Sequence, residues 1–352
     1  MIKVHARING IKYRPLLCSK LYQYNDLNEG LNKSGAFILN FNNDAKIAVS
    51  RWVSPKRTRS YPYARIYDTL GSQLKKVTII PVLKDEGLDG DRDFIQWDTI
   101  SLMSLLNIYV ILGYYTTAKK NNRYDNKITN QKFDIDYIAK KLDECLNFRS
   151  DALHWNLCQV EKISFLTDLA LKSYRNISKL TGVKMHSENI FLGKKDEILD
   201  EINKFKDFSR QKAVQAQKRE VYTRQPKEKT EGSKGIITIE NFLGGVYYFT
   251  CDEINPCGNN IYLIEAKHSK GGLIPSINDI KDGLLKMVLY VNLEKVEIDG
   301  NELKAKPVLK LTSGINKSLD SIGGKEKRIL EQLLEEAKLN KFKIIYNQEC
   351  LG

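Results

Sequence analysis

The stretch Tyr247 to Lys267, YYFTCDEINPCGNNIYLIEAK, reads as two apolar strands joined by a turn at Asn255-Pro256-Cys257-Gly258-Asn259. Side chains alternate faces along a strand, so Ile261, Leu263, Glu265 and Lys267 share one side, while Tyr262, Ile264 and Ala266 take the other. An apolar strand therefore ends in a carboxylate and an ammonium side by side. With the hairpin turning near Cys257-Gly258, residue 252 lies opposite residue 263, which puts Asp252 on the face of Glu265 and Lys267. A one-residue shift of the turn exchanges faces and brings Glu253 in place of Asp252.

Two carboxylates on adjacent strands form an oxygen-rich pocket suited to a hard divalent cation, most plausibly magnesium completed by waters and a substrate phosphate. A lysine beside that ion can orient or deprotonate a water for attack on phosphorus. The chemistry implied is phosphodiester hydrolysis. Acidic-x-Lys alone is a weak signal, because it recurs at Asp44, Asp125, Asp279, Glu302 and Glu336. Glu265-Ala-Lys267 differs in ending a buried-looking strand, with an acidic partner upstream and an amphipathic helix downstream. Glu302-Leu-Lys304 is its nearest rival, with Asp299 at the adjoining turn.

Outward from this hairpin, Ile236 to Glu240 reads as a preceding strand, and Ser276 with Asp279 caps a helix whose face is Ile277, Ile280, Leu284 and Val288. Strands at Lys295 to Ile298 and Leu303 to Leu311 meet through Asp299-Gly300, and a helix at Lys325 to Leu339 leads to a strand at Phe342 to Tyr346. The N-terminal part is β-rich. Ile2 to Ile8 and Ile11 to Leu17 form an expected hairpin about Asn9-Gly10, Ala36 to Phe41 pairs with Ile47 to Val53, and Lys76 to Leu83 is a further strand. Thr99 to Thr116 reads as a buried core helix capped by Asp98 or Thr99, too polar at Ser101, Ser104 and Asn107 for a membrane span. Helical spacing runs from about Asp134 to Gln217, as in Leu153, Leu157, Val160, Phe165, Leu169 and Leu171, and a basic connector follows over Lys212 to Gly235.

Strand with Asp252, hairpin, strand with Glu265-Ala-Lys267, then helix and strand: this order resembles the core of the PD-(D/E)XK nucleases, which include many type II restriction endonucleases, over about Gly235 to Ser313. The resemblance implies that Asp252 and Glu265 ligate magnesium, that the backbone carbonyl of Ala266 adds a ligand and that Lys267 assists the attacking water. It also implies an acidic residue from a preceding element, for which Glu240 is the candidate. Cys251 departs from the family pattern, which often has proline there.

The 352 residues, 42% hydrophobic and 28% charged, exclude a disordered chain and exceed one ordinary core. The expected division is 1–130, β-rich with a buried helix and a DNA-recognition role; 131–234, helical with the basic connector; and 235–352, the nuclease core. The fold class is α/β in the α+β sense, a mixed central sheet flanked by helices. A net charge of +13 attracts polyanions. Arg51 to Arg65 interleaves Arg51, Lys56, Arg57, Arg59 and Arg65 with Trp52, Tyr61 and Tyr63, a composition suited to phosphates and bases, and Lys218 and Arg219 lie in the second basic stretch. The acidic loop Lys84 to Asp93 lacks the glycine and later ligands of an EF-hand and is expected to be pinned by internal salt bridges. Six scattered cysteines without Cys-x-x-Cys spacing, and no recognisable leader, point to a reducing cytoplasmic compartment. The function expected is a magnesium-dependent, sequence-specific endonuclease acting on double-stranded DNA as a homodimer, without a membrane. A nucleic-acid-binding protein without catalysis, or a repair or phage-defence nuclease without sequence specificity, is the alternative.

Overall fold

The computed structural model describes residues 2–41, 45–189, 233–241, 246–315 and 322–351. The chain divides into two compact units, one of Met1–Lys20, Ile66–Gly71 and Ala213–Gly352, the other of Leu21–Arg65 and Ser72–Lys212. This differs from the three-part division expected above. The first twenty residues join the C-terminal unit, and the helical section joins the β-rich one. Among the described residues, no helix is long and apolar enough to cross a membrane.

After β1 (Ile2–Ile8), which belongs to the first unit, the chain builds β2 (Tyr22–Tyr24), α1 (Leu27–Lys33), β3 (Ala36–Asn40), β4 (Lys46–Arg51) and α2 (Pro62–Leu70). It continues with β5 (Lys75–Pro81), β6 (Leu83–Asp85), β7 (Arg92–Phe94), α3 (Trp97–Leu105), β8 (Tyr109–Gly113), β9 (Tyr115–Lys120) and β10 (Ile128–Phe133). Helices α4 (Ile135–Asn147), α5 (Ala152–Glu161) and α6 (Ile163–Thr181) follow. The second unit centres on a five-stranded sheet, β2-β3-β4-β5-β8, in which β3 and β4 are antiparallel and the other neighbours parallel. The β3–β4 hairpin is the one expected, although its turn lies outside the described residues. Thr99 to Thr116 is not one helix. Helix α3 ends at Leu105, Asn107 takes a φ of 53°, and the β-branched run that follows becomes β8, buried at the end of the sheet beside β5. Its N-cap is Gln96, without a side-chain cap bond, rather than Asp98 or Thr99. In α6 the core face is Leu166, Ala170 and Tyr174, with Phe165 60% exposed. The helix expected about 198–208, and the connector with Lys218 and Arg219, lie outside the described residues.

In the first unit β11 (Ser233–Asn241), β12 (Val246–Cys257) and β13 (Asn260–Ser269) form an antiparallel meander. Helix α7 (Ile277–Tyr290) then leads to β14 (Glu294–Ile298) and β15 (Asn301–Ser313), and α8 (Gly324–Asn340) to β16 (Lys343–Tyr346) and β17 (Glu349–Cys350). Strand β1 lies between β11, parallel, and β14, antiparallel, burying Val4, Ala6 and Ile8. Because β13 also pairs parallel with β15, the six strands β1-β11-β12-β13-β15-β14 close into a ring. The hairpin expected about Asn9-Gly10 does not form. Pro15 interrupts Ile11 to Leu17, and side chains take its backbone N–H groups: Lys12 donates to Asn292 Oδ1 at 2.9 Å and Arg14 to Asn340 Oδ1 at 2.8 Å.

Candidate active site

Strand β12 turns into β13 through Gly258-Asn259, with Gly258 at a φ of 56°, so the strand continues through Pro256 to Cys257. Pairing runs from Cys257 opposite Asn260 to Glu253 opposite Ile264. One step further sets Asp252 level with Glu265, not with residue 263. The two-residue difference preserves the face, so Asp252 and not Glu253 shares it with Glu265.

A β-bulge makes this arrangement. Gly235 of β11 pairs with Cys251 but Ser233 pairs with Ile254, so two residues, Asp252 and Glu253, stand opposite one. Before the bulge the buried side chains are Tyr247, Phe249 and Cys251, and after it Ile254 continues the same core. The change of parity turns Asp252 toward Glu265. Beyond Ile264 the ladder between β12 and β13 stops, and Ala266 N donates instead to Asp252 Oδ2 at 2.9 Å. The strands part where the carboxylates sit.

Helix α7 packs on β13 and β15 above this point. Gly283 permits the approach: a Cβ there would stand 2.7 Å from Leu309 Cδ1 and 3.2 Å from Lys267 Cε. From the helix, Asp282 accepts from Lys267 Nζ at 2.8 Å, and Lys286 Nζ donates to Glu265 Oε2 at 2.7 Å and to the Thr250 carbonyl at 3.2 Å. Lys267 Nζ also lies 2.9 Å from Glu265 Oε1. Glu265 is buried, whereas the side chains of Lys267 and Asp282 retain 17% and 25% of their exposure.

The charges are strongly coupled. Burial, then the Glu265 charge, raises the Asp252 carboxyl to about 7. Burial would also raise Glu265, but Lys286 and Lys267 outweigh it and hold this carboxylate below its ordinary value. Burial alone would lower Lys267, yet Glu265, Asp282 and Asp252 keep its ammonium well above the usual range. The native Asp252 carboxyl thus prefers its proton. Its stabilising contribution is full below about pH 4, the value in an unfolded chain, and is lost as the pH rises through about 7. Asp252→Asn, which keeps an acceptor for Ala266, is expected to gain about 1–3 kcal/mol at pH 8 in EDTA and little at pH 4. Urea midpoints at the two pH values check this; an equal effect at both would contradict it.

The other expected residues fall elsewhere. Glu240 is exposed, lies 3.3 Å from Arg7 and pairs with Val246, six positions before Asp252 on β12, about 20 Å along the strand. It does not join the site. The rival pair Glu302 and Lys304 is exposed at the start of β15. In the second unit, Arg51, Arg59 and Arg65 of the basic segment bond to groups of the unit's own fold. Arg59 reaches Glu86 at 3.0 Å, Asp93 at 3.2 Å and Asp91, pinning the acidic loop together with Lys84. Arg51 donates to the Ser34 carbonyl and Arg65 to that of Arg51, with burial lowering both guanidinium values. Trp52 and Tyr63 are buried against each other, while Lys56 is exposed and Arg57 half-buried. Arg59→Ala, which strips a shared cation from three carboxylates, is expected to destabilise this unit by on the order of 2 kcal/mol, read as a lower urea midpoint. An unchanged midpoint would show that the network contributes nothing.

Among the described residues no group of three or more His, Cys, Asp or Glu could hold a metal ion. Asp252 and Glu265 therefore stand as a pair, two carboxylates level on adjacent strands, and oxygen is the donor type a hard cation takes. Asp282 and Lys286 escaped the sequence reading. Both lie on a helix with a largely buried face, where a charged side chain needs a charged partner, but the sequence does not show which. No family model, no curated protein and no solved structure matches the chain.

Proposed function

We propose that this chain is a magnesium-dependent endonuclease of the type II restriction kind, hydrolysing phosphodiester bonds in double-stranded DNA. The observation that carries the reading is the meeting of Asp252, Glu265 and Lys267 where β12 parts from β13, beneath α7. The order of meander, helix and parallel strand β15 adds support through its likeness to the PD-(D/E)XK core. Magnesium held by Asp252 and Glu265 would act as a Lewis acid on the phosphate and its attacking water. Lys267, beside Glu265 at 2.9 Å, would donate to and neutralise a phosphate oxygen or orient the attacking water. The net charge of +13 favours DNA as the polyanion, and a homodimer would present two related sites to a palindrome.

Digestion of a sequenced plasmid in magnesium is expected to give discrete fragments, and none in EDTA. A nuclease without sequence specificity would instead give a smear. A second reading has its own support: both Glu265 oxygens are engaged by ammonium groups, as in a purely structural ion-pair network. It makes the chain a nucleic-acid-binding protein, retaining plasmid without any metal-dependent nicking.

A further inference from the structure

Four charged side chains from β13 and α7 form a run, Asp282–Lys267–Glu265–Lys286, in which Lys267 is shared between two carboxylates, lying 2.9 Å from Glu265 Oε1. Lys267 is balanced by Asp282 at 2.8 Å, while the other strong partner of Lys286, beyond Glu265 at 2.7 Å, is the neutral carbonyl of Thr250. Each Glu265 oxygen thus carries one ammonium, but Lys267 is shared with Asp282, whereas Lys286 gives its charge to Glu265. Both are shielded from water, with side-chain exposures of 13% and 2%, so salt screens their interaction little. Any further cation approaching Glu265 meets the Lys286 ammonium at close range.

We propose that Lys286 is a resident counter-ion that regulates metal entry, competing with a divalent cation for Glu265 so that the free protein binds the metal weakly. This inference rests on the reading of Asp252 and Glu265 as metal ligands. Lys286 is a positioning residue: it acts through Glu265, holding that carboxylate in place beneath α7 while lowering its capacity for a second cation. Without the ammonium charge, the carboxylate pair gains net negative charge and takes up metal more readily.

Manganese, a hard cation with a paramagnetic signal, provides the probe, titrated against the full chain without nucleic acid. Lys286→Gln keeps donors for Glu265 and for the Thr250 carbonyl but loses the charge, whereas Lys286→Arg keeps the charge. The Gln variant is expected to bind manganese at least about tenfold more tightly than the parent, about 1.4 kcal/mol, and the Arg variant no more tightly. Lys286→Met, which retains an apolar stem, is expected to follow Gln and serves if the amide unsettles the fold. Tightening is the opposite of what simple structural damage would produce. Unchanged or weaker binding in both uncharged variants, with melting temperatures preserved, would overturn the proposal, as would equal tightening in the Arg variant. Plasmid nicking by the parent chain in magnesium is scored separately. Nicking without tightening defeats the counter-ion alone, and tightening without nicking defeats the nuclease reading while leaving a metal site.

Discussion

Glu336→Ala is expected to destabilise the first unit by about 3–5 kcal/mol, a large share of a typical domain's stability. The Glu336 carboxylate, fully buried on α8, accepts from Tyr13 Oη at 2.6 Å, from Tyr67 Oη at 2.6 Å, and from Leu16 N and Leu17 N at 2.8 and 3.1 Å. Burial raises its carboxyl above the ordinary value despite these donors, so much of what it provides is hydrogen bonding rather than charge. Truncation leaves two hydroxyls and backbone N–H groups without that acceptor, and burial gives them no water in exchange. Glu336→Gln, which retains one acceptor oxygen, should lose about half as much. Urea unfolding gives the comparison; an alanine variant within about 0.5 kcal/mol of the parent would show that this carboxylate does not hold the 11–17 segment.

Lys267→Met is expected to slow magnesium-dependent cleavage on the order of a thousandfold while DNA retention on a gel remains near that of the parent. The lysine lies on the face of Asp252 and Glu265, and its ammonium is held between Glu265 and Asp282. Methionine preserves the stem beneath Gly283 but cannot donate to a phosphate oxygen. A folded variant that cuts as quickly as the parent would remove Lys267 from the chemistry and leave an ordinary ion pair.

The hairpin was legible because two apolar runs flank a turn sequence, and Ile261, Leu263 and Glu265 share a buried face although Ile264 and Ala266 on the other face are buried as well. Its register was harder to place, since Pro256 reads as a turn residue although the strand passes through it. The face nevertheless came out correctly, because a slip of two restores parity. The bulge at Asp252-Glu253 leaves no mark in the sequence, since it depends on where β11 pairs. Asp282 and Lys286 were hidden for a related reason: their partners lie on a strand about twenty residues away, across a helix–sheet contact. Charge density at Arg51 to Arg65 could not show that Arg59 is matched by carboxylates some thirty residues downstream. Thr99 to Thr116 misled because a run buried on every side has no period, and the break rests on Asn107.

Iron(II) in place of magnesium, with peroxide and ascorbate, cuts a polypeptide backbone within reach of the bound ion, and mass spectrometry locates the breaks. Two cuts are expected, one beside Asp252 and one across Glu265 to Lys267, both suppressed by excess magnesium. Cuts confined to the acidic loop 84–93, or a chain left whole at saturating iron, would contradict a cation held between the two parted strands.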